Sequence, residues 1–333
     1  MEVNTTSDDV PRAGWRVMLV TGASGFIGGA VIARAMRDPE LRVKGAMRRA
    51  GLSLVQGAEV TLVRDLARDT DWKEALSGAD VVVHTAARVH VMRDPSIDPL
   101  TEFRRVNVAG TLNLATQAAA AGARRFVFIS SIKANGEQTL PGSPYSAADV
   151  PAPVDPYGIS KLEAEQGLRD LSRECGMEVV IIRPVLVYGP GVGGNFRAIM
   201  RVVSRGIPLP LGAIHNRRSL VSLDNLVDLI MTCVHYPRAA GGTFFASDGE
   251  DLSTTELLRR IAAAMARPAR LIPVPERVLW TAARLLGKTD VAQRLLGSLQ
   301  VDITQTRTLL GWTPPVSVDA SLERTTRHFL TGR

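Results

Sequence analysis

Six short apolar runs recur at helix-length intervals over residues 17–182, and this rhythm restricts the fold more than any other feature of the chain. They lie at 17–20, 43–47, 60–63, 81–84, 126–129 and 179–182. Each is almost unbroken in apolar residues, so a strand built from it must be covered on both faces, as in a parallel sheet with helical crossovers. After residue 183 the rhythm breaks. Gly189, Pro190, Gly191, Gly193 and Gly194 mark a loop, and helical patterns follow at 196–205, 223–235, 254–265, 276–286 and 291–299. A chain of 333 residues with 45% hydrophobic content exceeds one compact domain. The expected division is a flexible N-terminus at 1–14, a sheet domain at 15–185 and a smaller, mostly helical domain at 186–333, with the chain crossing back to the sheet near 219–246.

The first run ends in Thr21-Gly22-Ala23-Ser24-Gly25-Phe26-Ile27-Gly28, directly before an amphipathic segment. Gly22 permits a tight bend, Gly25 a close approach of backbone to a pyrophosphate, and Gly28 close packing of helix on strand. The helix N-terminus then offers unpaired N–H groups to the anion. The α/β pattern is therefore that of a Rossmann-type, doubly wound parallel sheet binding a nicotinamide dinucleotide. After the second run, where a carboxylate would serve the ribose hydroxyls of NAD(H), the chain reads Arg48-Arg49. Two guanidiniums there favour the 2'-phosphate of NADP(H); NAD(H) stays open, with both arginines facing solvent or stacking on adenine. Asp65 and Leu66 are expected beside the adenine.

Tyr157 and Lys161 stand four residues apart, so a helix puts phenol and ammonium on one face. A phenol, with an ordinary pKa of about 10, exchanges a proton near neutrality only where a cation stabilises the phenolate. Lys161 can supply that cation, and Ser130-Ser131 ends the fifth apolar run nearby in the fold. His84 is expected to pack at a strand end, and His90 lies near the mouth of the same strand. His215, His235 and His328 are expected at the surface. Lys133 either reaches the substrate or only satisfies loop carbonyls.

Composition narrows the remaining classes. Cys175 and Cys233 are the only cysteines, with no CxxC pair and no cluster at metal spacing, so neither a disulfide framework nor a metal site is expected. No apolar run reaches the roughly 20 residues of a membrane span, and the first 14 residues do not form a signal peptide. A soluble, cytoplasmic protein is expected. The charge of +7 comes from dispersed arginines, without the basic and aromatic interleaving of a nucleic-acid platform. The apolar stretch 278–286 is expected to pack as core or lid; a membrane surface or partner helix is the other reading.

These motifs, with HTAA at 84–87, NVAGT at 107–111 and RPVLVYGPG at 183–191, resemble an extended short-chain dehydrogenase/reductase of the NAD-dependent epimerase/dehydratase family. The resemblance implies catalytic roles for Ser131, Tyr157 and Lys161, with Asn107 supporting the active-site helix. It implies cofactor contacts from Gly22, Ser24, Gly25, Phe26, Ile27, Gly28, Arg48, Arg49, Asp65, Leu66, Thr85, Ala86, Ala87, Tyr157, Lys161, Pro184 and Val187. The implied substrate is a UDP-linked sugar, its diphosphate held by Arg218 and Asn195, with Lys133 and His90 as further contacts. A homodimer through a helix pair is also implied.

Family dehydratases carry an Asp-Glu pair where this chain has Ile132-Lys133, and neither residue supplies the acid and base that loss of water needs. Further stretches, among them SSIKANGE and NRRSLVSLDNLVD, resemble a bacterial surface-polysaccharide (O-antigen, lipopolysaccharide) subgroup. That subgroup contains UDP-sugar 4-reductases forming UDP-N-acetylquinovosamine, alongside 4-epimerases. The leading expectation is NAD(P)H-dependent reduction at C4 of a UDP-4-keto-6-deoxy-N-acetylhexosamine. The alternative is a 4-epimerase holding NAD+ tightly. A non-catalytic NADP(H)-binding regulator is a distant third, set against by the intact Ser131, Tyr157 and Lys161.

Overall fold

The computed structural model describes residues 14, 16–49, 57–89, 98–140 and 142–332. The expectations for residues 1–13 and for His90 lie outside the described residues. In chain order the strands are β1 (Val17–Thr21), β2 (Arg42–Met47), β3 (Glu59–Leu62), β4 (Val81–His84), β5 (Arg125–Ile129), β6 (Glu178–Pro184), β7 (Leu186–Tyr188), β8 (Arg218–Ser222), β9 (Thr243–Ala246) and β10 (Asp251–Leu252). The helices are α1 (Phe26–Ala35), α2 (Lys73–Leu76), α3 (Pro99–Phe103), α4 (Thr111–Ala120), α5 (Pro156–Cys175), α6 (Gly194–Ser204), α7 (Leu223–His235), α8 (Thr254–Ala264), α9 (Glu276–Leu285), α10 (Thr289–Leu296), α11 (Thr304–Leu310) and α12 (Val318–Thr331). A π-helical segment, Arg104–Gly110, joins α3 to α4.

Seven strands form one parallel sheet in the order β3, β2, β1, β4, β5, β6, β9. The six apolar runs all become its strands. Within β1, β4, β5 and β6, alternate residues enter opposite layers: Met18, Val20, Val81, Val83, Val127, Ile129, Val180 and Ile182 pack with α1 and α7, while Leu19, Val82, Phe126, Phe128, Val179 and Ile181 pack with α2, α4 and α5. The expected cover on both faces fails only at the edge strand β3, which leaves Val60 and Leu62 exposed. Two-sided burial is why the runs lack polar alternation. It also fixes register, because a one-residue slip would exchange the two sets.

Strand order reverses between β1 and β4, so the crevice at their carboxyl ends is where a Rossmann-type sheet takes its ligand. The chain leaves the sheet after β6, and after α7 it returns to add β9 along that strand. The intervening and following segments build a small sheet in the order β10, β8, β7. A third core forms there, in which Phe196, Met200, Leu220, Leu258, Ile261 and Leu322 pack together.

Three expectations need correction. The helix placed at 291–299 stops at Leu296: Gly297 is extended, and Leu299 bridges to Arg218, its N–H donating to Arg217 O and its carbonyl accepting from Ser219 N. Strand pairing took those residues from the helix. The stretch 278–286 is only partly packed, with Leu279, Trp280 and Ala283 against the third core and Val278, Leu285 and Leu286 exposed. Of the histidines expected at the surface, His215 is exposed, whereas His235 and His328 are half-buried.

Candidate active site

At the end of β1, Gly22 adopts φ +68°, and a Cβ there would lie 2.9 Å from Ala86 N. A Cβ on Gly28 would lie 2.8 Å from Thr85 Oγ1 and closer still to Gly22 O. Thr85 Oγ1 donates to Thr21 O at 2.6 Å, tying the β4 end to the β1 end across the reversal point. Gly25 caps α1 with no side-chain hydrogen bond, so nothing competes for the first N–H groups of that helix. The bare cradle and these unclaimed donors fit a dinucleotide pyrophosphate. Ser24 is exposed and Phe26 and Ile27 half-buried at the helix start, while Ala86 and Ala87 lie half-buried after β4. Arg48 and Arg49 are exposed just past β2. Leu66 is buried, and Asp65 accepts from Leu66 N at 2.8 Å and pairs loosely with Arg105 at 3.6 Å. Pro184 ends β6 and Val187 lies in β7.

Tyr157 and Lys161 sit in the first turns of α5. Asp155 caps this helix by accepting from Gly158 N at 2.6 Å, and Pro156 occupies its first position, where a missing N–H costs nothing. Lys161 is buried, its Nζ donating to Ile129 O at 2.8 Å, with the Phe128 ring centre 4.5 Å away and that of Tyr157 5.9 Å away. Burial pushes its ammonium down to about 7 against the opposing charge of Glu165. Burial, then the Asp155 carboxylate, pushes the Tyr157 phenol up to about 12, while the Ser131 hydroxyl, hydrogen-bonded to it, acts the other way. The phenol is therefore protonated in the free protein. It becomes a base only where cationic charge is delivered beside it.

His84 lies fully buried beneath this group. Its ring nitrogens meet Thr21 Oγ1 at 2.6 Å and Thr111 Oγ1 at 2.9 Å, and the ring stacks on Phe128. Burial and the nearby Lys161 charge hold it down to about 3, so it stays neutral and packs as expected of a strand-end histidine.

Asn107 is buried in the π-helical segment, a distortion that aims a side chain out of the ordinary helical ladder. Its Oδ1 accepts from Arg88 N at 2.8 Å, and its Nδ2 donates to Arg88 O and Ser160 Oγ, both at 3.0 Å. Ser160 in turn donates to Tyr157 O at 2.8 Å, so Asn107 links the loop after β4 to the Tyr157 turn.

Lys133 has a different place from either expected one. It donates to Glu137 at 2.7 Å and to the Asp155 cap, fastening the Ser131 turn to the start of α5. Arg218 is half-buried, and its Nη1 donates to Gly297 O at 2.9 Å. Asn195 is exposed at the start of α6.

Sequence reasoning passed over a buried ionic group beneath the site. Arg183 donates from Nε to Glu165 Oε1 at 2.9 Å and from Nη1 to Asn135 Oδ1 at 2.8 Å, and Ser130 also donates to Glu165. Glu165 lies four residues beyond Lys161 on the same helix face, which is the signal that would have found it. Asp155-Pro156 ahead of an amphipathic run was likewise a legible cap.

The reversal-point crevice, glycine cradle and Ser131–Tyr157–Lys161 cluster define an extended short-chain dehydrogenase/reductase. More narrowly, the NAD dependent epimerase/dehydratase family model matches residues 18–244, and the chain belongs to that family. It is 48% identical over 319 residues to a UDP-glucose 4-epimerase of Vibrio cholerae, covering 94% of this chain and 95% of that protein. Its fold is similar to a UDP-glucuronic acid 4-epimerase from Bacillus cereus in complex with NAD, at TM-score 0.76 and 20% identity over 95% of this chain and 99% of that one. It is also similar to a UDP-glucose 4-epimerase from Thermotoga maritima with UDP-glucose, at TM-score 0.75 and 22% identity over 95% of this chain and 99% of that one.

Proposed function

We propose that the chain is a UDP-sugar 4-epimerase. The observation that carries this reading is the Ser131–Tyr157–Lys161 cluster beside the glycine cradle, in a chain 48% identical over nearly its whole length to a UDP-glucose 4-epimerase. Bound in the cradle, the nicotinamide dinucleotide supplies hydride acceptance and return at C4. Tyr157 takes the proton of the C4 hydroxyl during oxidation and restores it during reduction, while Ser131 hydrogen-bonds the same sugar oxygen. Lys161, in its protonated form, holds cationic charge against the phenol ring and lowers the cost of the phenolate. Asn107, through Ser160, positions the Tyr157 turn.

Arg218 and Asn195 hold the UDP diphosphate in this reading, the first a desolvated guanidinium and the second near the start of α6. Ile132 and Lys133 supply no acid and base pair for dehydration, and the engagement of Lys133 with Glu137 and Asp155 strengthens that argument. Pairing through a helix set that includes α5 belongs to the same reading and is checked by light scattering.

A second reading, reduction at C4 of a UDP-4-keto-6-deoxy sugar, is favoured by one observation: Arg48 and Arg49 are exposed at the end of β2, where a ribose-binding carboxylate is missing. Denaturing fresh protein and identifying the released dinucleotide separates the two. Near-stoichiometric NAD+ with interconversion of UDP-hexoses at C4 supports the epimerase. An empty protein that prefers NADPH, leaves UDP-hexoses unchanged and consumes NADPH with the 4-keto sugar replaces it with the reductase.

A further inference from the structure

The face left open by α9 and α10 has a definite chemistry. Leu279, Trp280 and Ala283 anchor α9 to the third core, so the helix is held in place from one side. On its outer side Val278, Ala282 and Leu285 follow at helical spacing, continued by Leu286 and by Val291 of α10. Leu285 is 83% exposed, Leu286 70% and Val278 54%. Alongside this stripe the exposed side chains of Arg277, Thr281 and Arg284 follow at the same spacing on α9, and exposed Lys288 lies just beyond its end. Residues 266–297 carry six basic side chains against two acidic ones, Glu276 and Asp290, a balance of +4. Glu276 is occupied in accepting from His215 N at 2.9 Å.

We propose that this face docks the protein on the surface of an anionic phospholipid bilayer. An apolar stripe bordered by arginine and lysine on a helix of low mean hydropathy is the arrangement that lies in the headgroup region, its apolar side among acyl chains and its cations on lipid phosphates. Charge selects this occupant over a second copy, since a twofold contact through this patch would bring the Arg277, Arg284 and Lys288 border of one copy against the same cations of the other. The helices do not cross the bilayer: among the described residues no helix is long and apolar enough for that. The proposal is independent of which sugar reaction the site performs.

The test is co-sedimentation of the full chain with vesicles of phosphatidylethanolamine and phosphatidylglycerol, against vesicles of phosphatidylcholine alone. Binding is expected to the anionic vesicles only, weakening as salt rises. It should fall at least about tenfold in the double variant Leu285→Ser, Leu286→Ser, and also in Arg277→Gln, Arg284→Gln, Lys288→Gln. Circular dichroism and dinucleotide binding confirm that each variant is folded. Absence of binding to anionic vesicles at low salt, or binding that both folded variants retain, overturns the proposal. So does a vesicle-free sedimentation experiment in which the serine variant turns a dimer into a monomer, which would assign the face to a second copy.

Discussion

Tyr157 and Lys161 illustrate how a site can be set by burial more than by partner charges. The phenol has been raised to about 12 and the ammonium lowered to about 7, each moved first by loss of water. Replacing Tyr157 by Phe removes the only hydroxyl on that ring, so sugar turnover is expected to fall by about two to four orders of magnitude, with dinucleotide affinity nearly unchanged by titration. Lys161 also makes stability depend on pH. Between about 7 and its ordinary 10.5, the unfolded chain holds a proton at this position that the folded chain has released. Stability therefore rises with pH across that window, by at most about 1.4 kcal/mol per pH unit for one group. Lys161→Met should lose this slope, which urea titrations at the two ends of the window would measure; an unchanged slope would show that the ammonium is not desolvated. Both residues were legible from their four-residue spacing. The direction of their pKa shifts was not, because desolvation depends on what packs over them.

At the scale of elements, the active-site geometry is made by the meeting of α5 with the turn that follows β5. Gly158 permits that meeting: a Cβ on it would lie 2.9 Å from Asp155 Oδ1 and closer still to the Lys133 carbonyl oxygen. Gly158→Ala should therefore cost about 1–3 kcal/mol by forcing the helix start away from Ser131. In steady-state kinetics kcat should fall more than KM rises, since Tyr157 moves relative to the sugar while the UDP contacts stay. An alanine variant of wild-type kcat would mean that the turn, and not the helix, absorbs the strain. The glycine turn after β1 could be read from sequence because its three glycines answer local needs. The π-helical segment that presents Asn107 could not, since the partners of Asn107, Arg88 and Ser160, lie 19 and 53 residues away.

Across the whole molecule, one buried side chain ties the sheet to the helix that precedes its last strand. Arg125, at the start of β5, donates through Nη1 to Cys233 O at 2.7 Å, Val234 O at 2.9 Å and Tyr236 O at 2.9 Å, and through Nε to Glu178 at 2.8 Å. It closes the C-terminal end of α7, whose last carbonyls have no helical partner and carry partial negative charge. Arg125→Met should lower stability by about 3–5 kcal/mol, because it leaves buried acceptors unpaired. Denaturant midpoints would report the loss, with turnover retained at low temperature because Arg125 lies at the end of the strand opposite Ser131. A loss below about 1 kcal/mol would mean that water replaces the guanidinium at those carbonyls.

Periodicity alone determined the doubly wound sheet, because strands buried on both faces must be written as continuous apolar runs. Local chemistry alone determined the cradle and the Tyr157–Lys161 pair, because a tight turn and a shared helix face need only neighbouring residues. Tertiary structure decided the rest. It ended α10 at Leu296 by drawing Leu299 into pairing with Arg218. It gave Lys133 to Asp155, brought Arg183 onto Glu165, and, among the described residues, left one side of α9 without a covering layer. Each of these outcomes rests on contacts between separate elements or on the absence of such contacts, and the local pattern of one element does not say which other element will meet it.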